Sequence, residues 1–277
     1  MRTLQKQHIV DLFVWVDDAL ASLPQTKEKE VSRGGRPATL RDSELLTMLI
    51  WDGLTEPHKT LHSLYAWMTR EYGDCFPRLP AYQNFVAHCH RLLPVLTGLL
   101  QATLSGAAPL RFVDSTMLPV CRKVRADRHK VARDVAAWGK NWQGWHYGFK
   151  LHAAIDHQGR LAAIYFTPAN ESDVLQLKKL VNIHTRVVVG DAGYTASVTR
   201  RHLWRDYRCA VISPPRPKQI WLMTKWQHLL LTMRPKIEAT FGKLKTKHFL
   251  VTSFPRSVQG YALHYMRTLL GYQMRVS

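Results

Sequence analysis

The chain has 277 residues, of which 46% are hydrophobic, so it can build one large domain or two smaller ones and general disorder is excluded. Its 39 Lys and Arg residues against 20 Asp and Glu residues give a formal net charge of +19. This excess favours a polyanionic partner, nucleic acid before membrane, over a merely soluble basic protein. The four cysteines form no C-x-x-C pair, which fits a reducing cytosol and indicates neither a zinc ribbon nor a redox motif.

No stretch of the sequence has the character of a membrane anchor. The N-terminus carries charges and has no long apolar core, so no signal peptide is evident. The longest apolar stretch, near Leu92 to Leu104, is interrupted and too short to span a bilayer. We therefore expect a cytoplasmic protein without a membrane partner.

The first part of the chain, residues 1–106, is predicted to be all-α. Apolar residues at helical spacing predict a helix around Ile9 to Leu20, a second one capped by Ser43, a third over Lys59–Tyr72 and a fourth after Pro80. Successive short helices in a basic chain fit a helix-turn-helix-like DNA-binding region. They would equally fit a plain helical cap domain.

Two short motifs in this region have possible functional interpretations. The sequence R-G-G-R-P places Arg33 and Arg36 in a basic segment that could enter an A·T-rich minor groove, although it also fits a loop before a helix. His88-Cys89-His90 superficially matches the metal-binding His pair of single-strand nucleases. That pair belongs on a strand, whereas the pattern here is helical, so we do not predict a metal site there.

A small-residue break at residues 105–109 marks the predicted boundary between a domain 1–106 and a domain 107–277. After it, strands are predicted at residues 110–116, 146–156, 160–166, 187–191 and 209–213. Helices are predicted to start near Ser172 and to cover residues 195–207, 220–231, 235–248 and 257–274. The order β-β-β-α-β-α-β-α is that of a ribonuclease H-like fold, an α/β domain with a mixed sheet.

Acidic residues follow or end strands that should be neighbours in such a sheet. Val187 to Val189 predict a buried strand that Gly190 ends and Asp191 follows, and Asp114 ends the first strand. Two carboxylates that close repel each other unless a cation lies between them, and hard oxygen ligands select Mg²⁺ or Mn²⁺. Glu238, on a late basic helix, is the candidate third acid of a site for two such ions.

Basic residues surround these acids along the chain. Lys245 follows Glu238 by seven positions and shares its helix face, which suits a contact to DNA. The further candidates for DNA binding are Lys123, Arg125, Arg128, Lys130, Lys150 and Lys243. A cluster of Trp138, Trp142, Trp145 and Tyr147 mixes aromatic with basic residues; it could stack on unpaired bases or cover a strand.

Five motifs together resemble those of DDE transposases of bacterial insertion sequences: F-V-D-S-T, Y-G-F-K-L-H, T-P-A-N-E-S-D, V-G-D-A-G-Y and I-E-A-T-F-G-K-L-K. The resemblance covers the chain from about residue 110 to the end. It is strongest to the compact branch without an inserted domain, because only 46 residues separate Asp191 from Glu238. Ala192 departs from the pattern, in which Lys or Gly is commoner.

The resemblance implies an enzyme, with Asp114, Asp191 and Glu238 as a catalytic triad that binds two Mg²⁺, or Mn²⁺. Such an enzyme hydrolyses double-stranded DNA at the element ends and joins the 3′-OH to target DNA. It also implies that Lys245 meets DNA near the cut, and that Asn170 and Asp173 have a structural role in capping the following helix. We expect a homodimer on DNA, associated with the bacterial nucleoid.

Two other functions remain open at this stage. A structure-selective nuclease or resolvase on the same fold would cut DNA without strand transfer. A domesticated DNA-binding protein would use the domain for recognition only, although the intact acidic triad argues against this. A tyrosine recombinase would need Arg and His activators around Tyr194, and the sequence supplies no such arrangement.

Overall fold

The computed structural model describes residues 2–22, 39–215 and 222–276. The predicted minor-groove residues Arg33 and Arg36 lie outside the described residues. The helices are α1 (Arg2–Ser22), α2 (Asp42–Leu54), α3 (Leu61–Glu71), α4 (Tyr82–Arg91), α5 (Leu93–Thr103), α6 (Asp173–Gln176), α7 (Ser197–Tyr207), α8 (Lys225–Met233), α9 (Pro235–Thr246) and α10 (Val258–Val276). The strands are β1 (Leu110–Pro119), β2 (Ala137–Asn141), β3 (Gly144–Ile155), β4 (Leu161–Pro168), β5 (Val187–Val189) and β6 (Ala210–Ile212).

The described chain forms two compact units. One contains helices α1 to α5 together with α10, and the other contains the sheet with α6 to α9. This grouping differs from the predicted boundary, which placed α10 with the sheet. The reason is close packing of two helices: a Cβ added to Gly53 of α2 would lie 2.5 Å from the Cα of Gly271 of α10.

A buried ion-pair network holds the helical unit together. The Asp52 carboxylate accepts a hydrogen bond from the Arg267 guanidinium at 2.7 Å and contacts the His58 ring at 2.7 Å. Arg267 also donates to the His58 carbonyl at 2.8 Å. Both charged side chains are almost fully buried, so each depends on the other to offset the cost of leaving water.

Two local predictions for the helical unit are corrected. Ser43 does not cap α2, because the helix already begins at Asp42 and the Glu44 carboxylate accepts the Arg41 backbone N–H at 2.6 Å. The helix predicted after Pro80 is two helices, α4 and α5, with Pro94 in the first turn of the second, where its missing N–H costs nothing. His88-Cys89-His90 lies on α4, in agreement with the helical assignment.

In the other unit, β1 lies between two strands of opposite direction. It pairs antiparallel with β3, from Phe112 opposite Ile155 to Pro119 opposite Gly148. It pairs parallel with β5, which pairs parallel with β6. Both β4 and β2 pair antiparallel with β3, giving a sheet of order β2-β3-β1-β5-β6 with β4 beside β3.

Strand β2 was not predicted, and the end of β1 was predicted wrongly. The five residues of β2 include a glycine and an asparagine, which carry a weak strand signal, and it is pairing with the start of β3 that orders them. Strand β1 does not end at Asp114 but continues to Pro119, because β3 pairs with it over that whole length. Asp114 therefore lies in the middle of β1.

Exchange of Gly53 for alanine should destabilise the helical unit. The new Cβ would force α2 and α10 apart, and overpacking of this kind costs about 1–3 kcal/mol. Gly242 of α9 is the matched control, since a Cβ there meets nothing within 4 Å. Gly242→Ala should be neutral or stabilising by up to about 1 kcal/mol. Urea unfolding followed by circular dichroism measures both, and equal midpoints for the two variants would refute the packing argument.

The protein should lose stability as the pH falls from about 6.5 towards 4. Burial, followed by the charge of Arg267, lowers the pKa of His264 to about 4, and its Nε2–H donates to the Phe249 carbonyl. The unfolded chain therefore binds protons on this ring first, which favours unfolding by up to about 1.4 kcal/mol per pH unit. In His264→Gln, which keeps a donor but cannot titrate, this pH dependence should be shallower. Parallel stability curves for wild type and variant would contradict it.

Candidate active site

The register of β1 and β5 brings two acidic residues level with each other. Leu110 pairs with Val187 and Phe112 pairs with Val189, so the same register places Asp191 level with Asp114, each two residues past the last pair. Strand β5 ends at Val189, so Asp191 lies in the loop that directly follows the paired residues. Parallel strands present such positions at the carboxyl edge of the sheet.

The segment after β5 is held in one conformation by its own side chains. The Asp191 carboxylate accepts the Gly193 backbone N–H at 2.8 Å and so starts the 3₁₀ turn Ala192–Tyr194. The Tyr194 ring packs so closely on Gly190 that an added Cβ there would lie 2.6 Å from a ring carbon. Gly190 is therefore needed for the approach of this ring.

The Asp114 carboxylate is the most perturbed acid of this region. Burial, with a smaller contribution from the negative charges of Asp191 and Asp173, raises its pKa to about 6. A 2.8 Å hydrogen bond from the Ser115 backbone N–H and the charge of Arg234 act in the opposite direction. A buried carboxyl group with like charges beside it is an environment that favours a bound cation.

Glu238 is linked to Asp114 through Arg234, the residue that directly precedes α9. One guanidinium nitrogen of Arg234 lies 2.7 Å from the Glu238 carboxylate and the other lies 3.6 Å from the Asp114 carboxylate. Arg234 thus bridges acids from α9 and β1. Arg234 was not among the site residues predicted from the sequence, although its position four residues before Glu238 is a recognisable signal for an ion pair.

A fourth acid, Asp173, belongs to the same electrostatic environment. Its carboxylate lies 3.0 Å from the Lys150 ammonium and 3.5 Å from the Nδ1 of His152. The resemblance predicted a cap for the following helix, but the N-cap residue is Ser172 and no side chain caps it. Asp173 therefore serves as the counterion of Lys150.

Lys150 differs from the other predicted DNA contacts. Its side chain is buried, and its ammonium donates to the Glu171 carbonyl at 2.7 Å as well as to Asp173. The structure gives it an internal partner and does not present it to DNA. His152 is also buried, with its Nε2 bonded to the Thr167 hydroxyl at 2.9 Å, so two polar side chains on one face of β3 are packed inside the protein.

Tyr194 lies beside these acids and cannot easily ionise. Burial, then the charges of Asp173, Asp114 and Asp191, raise the pKa of its phenol far above its usual range. Within the described residues its hydroxyl has no hydrogen-bond partner. A phenol that stays protonated is a poor nucleophile, which argues against covalent attack on DNA by this residue.

Most of the predicted basic contacts are available at the surface. Lys123, Arg125 and Arg128 lie on an exposed 3₁₀ turn, and Lys130 and Lys243 are exposed as well. Lys245, on α9, is half-buried; burial lowers its pKa, and the charge of Asp114 raises it. Lys245 is therefore the predicted basic residue whose charge acts directly on the acidic cluster.

The acids have the chemistry of a divalent metal site. Among the described residues, no group of three or more His, Cys, Asp or Glu side chains is already arranged to hold a metal ion. Asp114 and Asp191 nevertheless offer hard carboxylate oxygens, and burial together with the charges of Asp191 and Asp173 raises the pKa of Asp114. The residues present therefore fit a hard divalent cation. Within the described residues, no helix combines the length and the apolarity needed to cross a membrane.

Comparison with known proteins finds one family. Residues 105–258, more than half of the chain, match the family model described as "Transposase DDE domain". The match begins before β1 and ends at the start of α10, so it includes Asp114, Asp191 and Glu238. The mixed α/β architecture described above fits such a domain. No curated protein matches the chain.

Removal of Arg234 should raise the pKa of Asp114 above its value of about 6 in the metal-free protein. The guanidinium is the positive charge beside this carboxylate that lowers its pKa, so Arg234→Ala leaves burial and two like charges without it. Lys236→Ala is the control, because that ammonium instead donates to the His157 carbonyl. Carboxyl ¹³C shifts of Asp114 followed over pH measure the change. An unchanged midpoint in Arg234→Ala would show that the ion pair has no electrostatic effect.

Proposed function

The chain belongs to the family of transposases with a DDE domain, and we propose that it cleaves the ends of a bacterial insertion sequence by metal-dependent hydrolysis and joins the 3′-OH to target DNA. The observation that carries the proposal is the meeting of acids from separate elements. Asp114 in β1 and Asp191 after β5 share one register, and Arg234 links Asp114 to Glu238 on α9. Sequence positions far apart thus contribute to one negative cluster.

We assign Asp114, Asp191 and Glu238 as the metal ligands and catalytic residues. Transposases of this family generally use divalent metal ions, and we propose two Mg²⁺, with Mn²⁺ as a substitute. Asp114, Asp191 and Glu238 would hold such ions, which would supply activation of a water or a 3′-OH and stabilisation of the charge on the attacking and leaving oxygens of the phosphodiester. The turn of Gly193 onto Asp191 holds that carboxylate in place. Arg234 offsets the negative charge on Asp114 and Glu238 in the protein alone.

The basic surface supports DNA as the substrate. The net charge of +19 and the exposed turn Lys123–Arg128 provide phosphate contacts, and Lys245 lies where its charge reaches Asp114. We propose that the catalytic domain is ribonuclease H-like, supported by the antiparallel strands β1, β3 and β4 followed by the parallel strands β5 and β6, with the short β2 as an addition beside β3. The helical unit is the candidate for recognition of the element ends. Pairing two ends requires two protomers, so a homodimer on DNA completes the proposal.

Substitution of each acid tests the chemistry separately from DNA binding. Asp114→Asn, Asp191→Asn and Glu238→Gln should each reduce cleavage of element ends at least about 100-fold, because each removes a charged ligand. Binding to the same ends, measured by gel shift, should persist. Asp206→Asn on α7 is the control, since this acid pairs with Arg205 at the surface. Full activity in Asp191→Asn would overturn the assignment.

The joining step distinguishes a transposase from a nuclease of the same fold. Pre-cut element ends, the protein, Mg²⁺ and a supercoiled plasmid are incubated together, and joined products are detected by gel electrophoresis and sequencing. We expect ends inserted through their 3′-OH groups. Cleavage without any joined product would exclude the transposase and favour the nuclease or resolvase.

A further inference from the structure

Strands β2 and β3 form a hairpin whose residues 137–147 carry three tryptophans. The turn consists of Trp142 and Gln143, and Gly144 follows with a φ of +106°, a conformation that favours glycine. Trp138 pairs with Tyr147 across the two strands, and Lys140 pairs with Trp145. Opposite and alternate residues of a hairpin share a face, so these four side chains form one aromatic and basic surface.

The tryptophans of this hairpin differ in how they are packed. Trp138 rests on Tyr147, with ring centroids 5.6 Å apart, and is 37% exposed. Trp145 is 52% exposed and Trp142 is 89% exposed. The interpretation as hydrophobic cover therefore suits Trp138 best and fails for Trp142, because a side chain that is almost fully in solvent covers no core; half of Trp145 is also exposed. Two large indoles are left for a partner.

The charge around the hairpin indicates which partner fits. The Lys140 ammonium lies 5.8 Å from the centre of the Trp145 ring. The Lys123 ammonium would lie 3.3 Å from a Cβ on Gly144, so a second cation flanks the start of β3. No acidic residue occurs from residue 135 to residue 155. Exposed aromatic rings with cations between them are the chemistry that binds single-stranded nucleic acid, by stacking on bases and pairing with phosphates.

The hairpin also borders the candidate active site. Burial and then the charges of Lys123 and Lys245 lower the pKa of His146, which lies on the other face of β3 from Trp145. The charge of Asp114 in turn raises the pKa of Lys245, so these two groups lie close enough to interact. The other face of β2 is anchored, since Gly139 lies against the Ala169 carbonyl too closely for any side chain. A base held by the hairpin would therefore belong to the DNA strand that approaches the acidic residues of the candidate active site.

We propose that the hairpin 137–147 is a platform for unpaired bases, on which Trp142 and Trp145 stack while Lys140 contacts the adjoining phosphates. Lys123 adds positive charge on the opposite face, beside Gly144 and His146. The ligand is a DNA strand that has separated from its complement next to the cleavage position. Inside a duplex the flat faces of the bases are already stacked on one another, so the indoles can engage only bases that have left the helix. The inference rests on the proposed function.

Binding of matched DNAs to the Asp191→Asn protein in EDTA tests this without any cleavage. One probe is a blunt duplex, and the other is the same duplex with unpaired 3′ and 5′ arms carrying 2-aminopurine. We expect the Asp191→Asn protein to prefer the forked probe. Added to this protein, Trp142→Ala and Trp145→Ala should each weaken binding to the forked probe by about 5- to 150-fold and leave binding to the blunt probe unchanged. They should also reduce the quenching of 2-aminopurine fluorescence.

Matched controls come from other exposed tryptophans of the same chain. Trp204 on α7 is 54% exposed and Trp226 on α8 is 53% exposed, so Trp204→Ala and Trp226→Ala remove equally accessible indoles elsewhere. Both should keep the preference for the forked probe. Lys140→Ala should weaken both probes, with a shallower salt dependence, because it removes a phosphate contact.

Several results would overturn the platform. These are no preference for the forked probe in the Asp191→Asn protein, unchanged preference in both hairpin variants, or equal loss in the controls. Thermal unfolding of each variant separates a lost contact from a lost fold, and a variant that unfolds is replaced by Trp142→Leu or Trp145→Leu. Because binding is measured without chemistry, a protein that joins DNA ends normally but lacks the preference refutes the platform alone. A forked preference without any cleavage or joining refutes the proposed function alone.

Discussion

The two-sided pairing of strand β1 is the constraint on which the candidate site depends. On one side β3 pairs antiparallel with β1 over its length to Pro119, and on the other side β5 pairs parallel with it only as far as Phe112. The long ladder keeps Asp114 on a straight, buried strand, while the short one ends and lets the chain turn at Gly190. Asp191 emerges level with Asp114 because both ladders share one central strand. Any slip of the β1–β5 register would separate the two acids.

Charge balance is the second constraint on this region. Asp114 and Asp173 are partly buried acids that would repel one another, and the structure places a separate cation beside each: Arg234, which also pairs with the exposed Glu238, and Lys150. Lys150 is the more buried of the two cations. Lys150 therefore maintains the fold, whereas the exposed lysines and arginines remain available to bind a polyanion. The helical unit uses the same principle in its buried Asp52–Arg267 pair, which has no role in the proposed chemistry.

Position in the fold also separates the aromatic residues by role. Tyr194 is enclosed beside the acids, where burial raises its pKa and keeps it neutral, so it contributes shape and not a reactive group. Trp142 and Trp145 stand on a hairpin that the sheet supports at one end and solvent surrounds at the other. Aromatic residues thus act as core or as binding surface according to how far the surrounding structure encloses the turn or strand that carries them.

The sequence by itself determined the order of most elements and the identity of the candidate acids, because buried strands such as Val187–Val189 and the motifs around them are local signals. It did not predict that β1 continues past Asp114, that β2 exists, or that Lys150 is buried. Each of these depends on a partner distant in sequence: β3 for the strands and Asp173 for the lysine. Only the tertiary structure decided them, since pairing register and desolvation arise from contacts between segments and leave no trace in local periodicity.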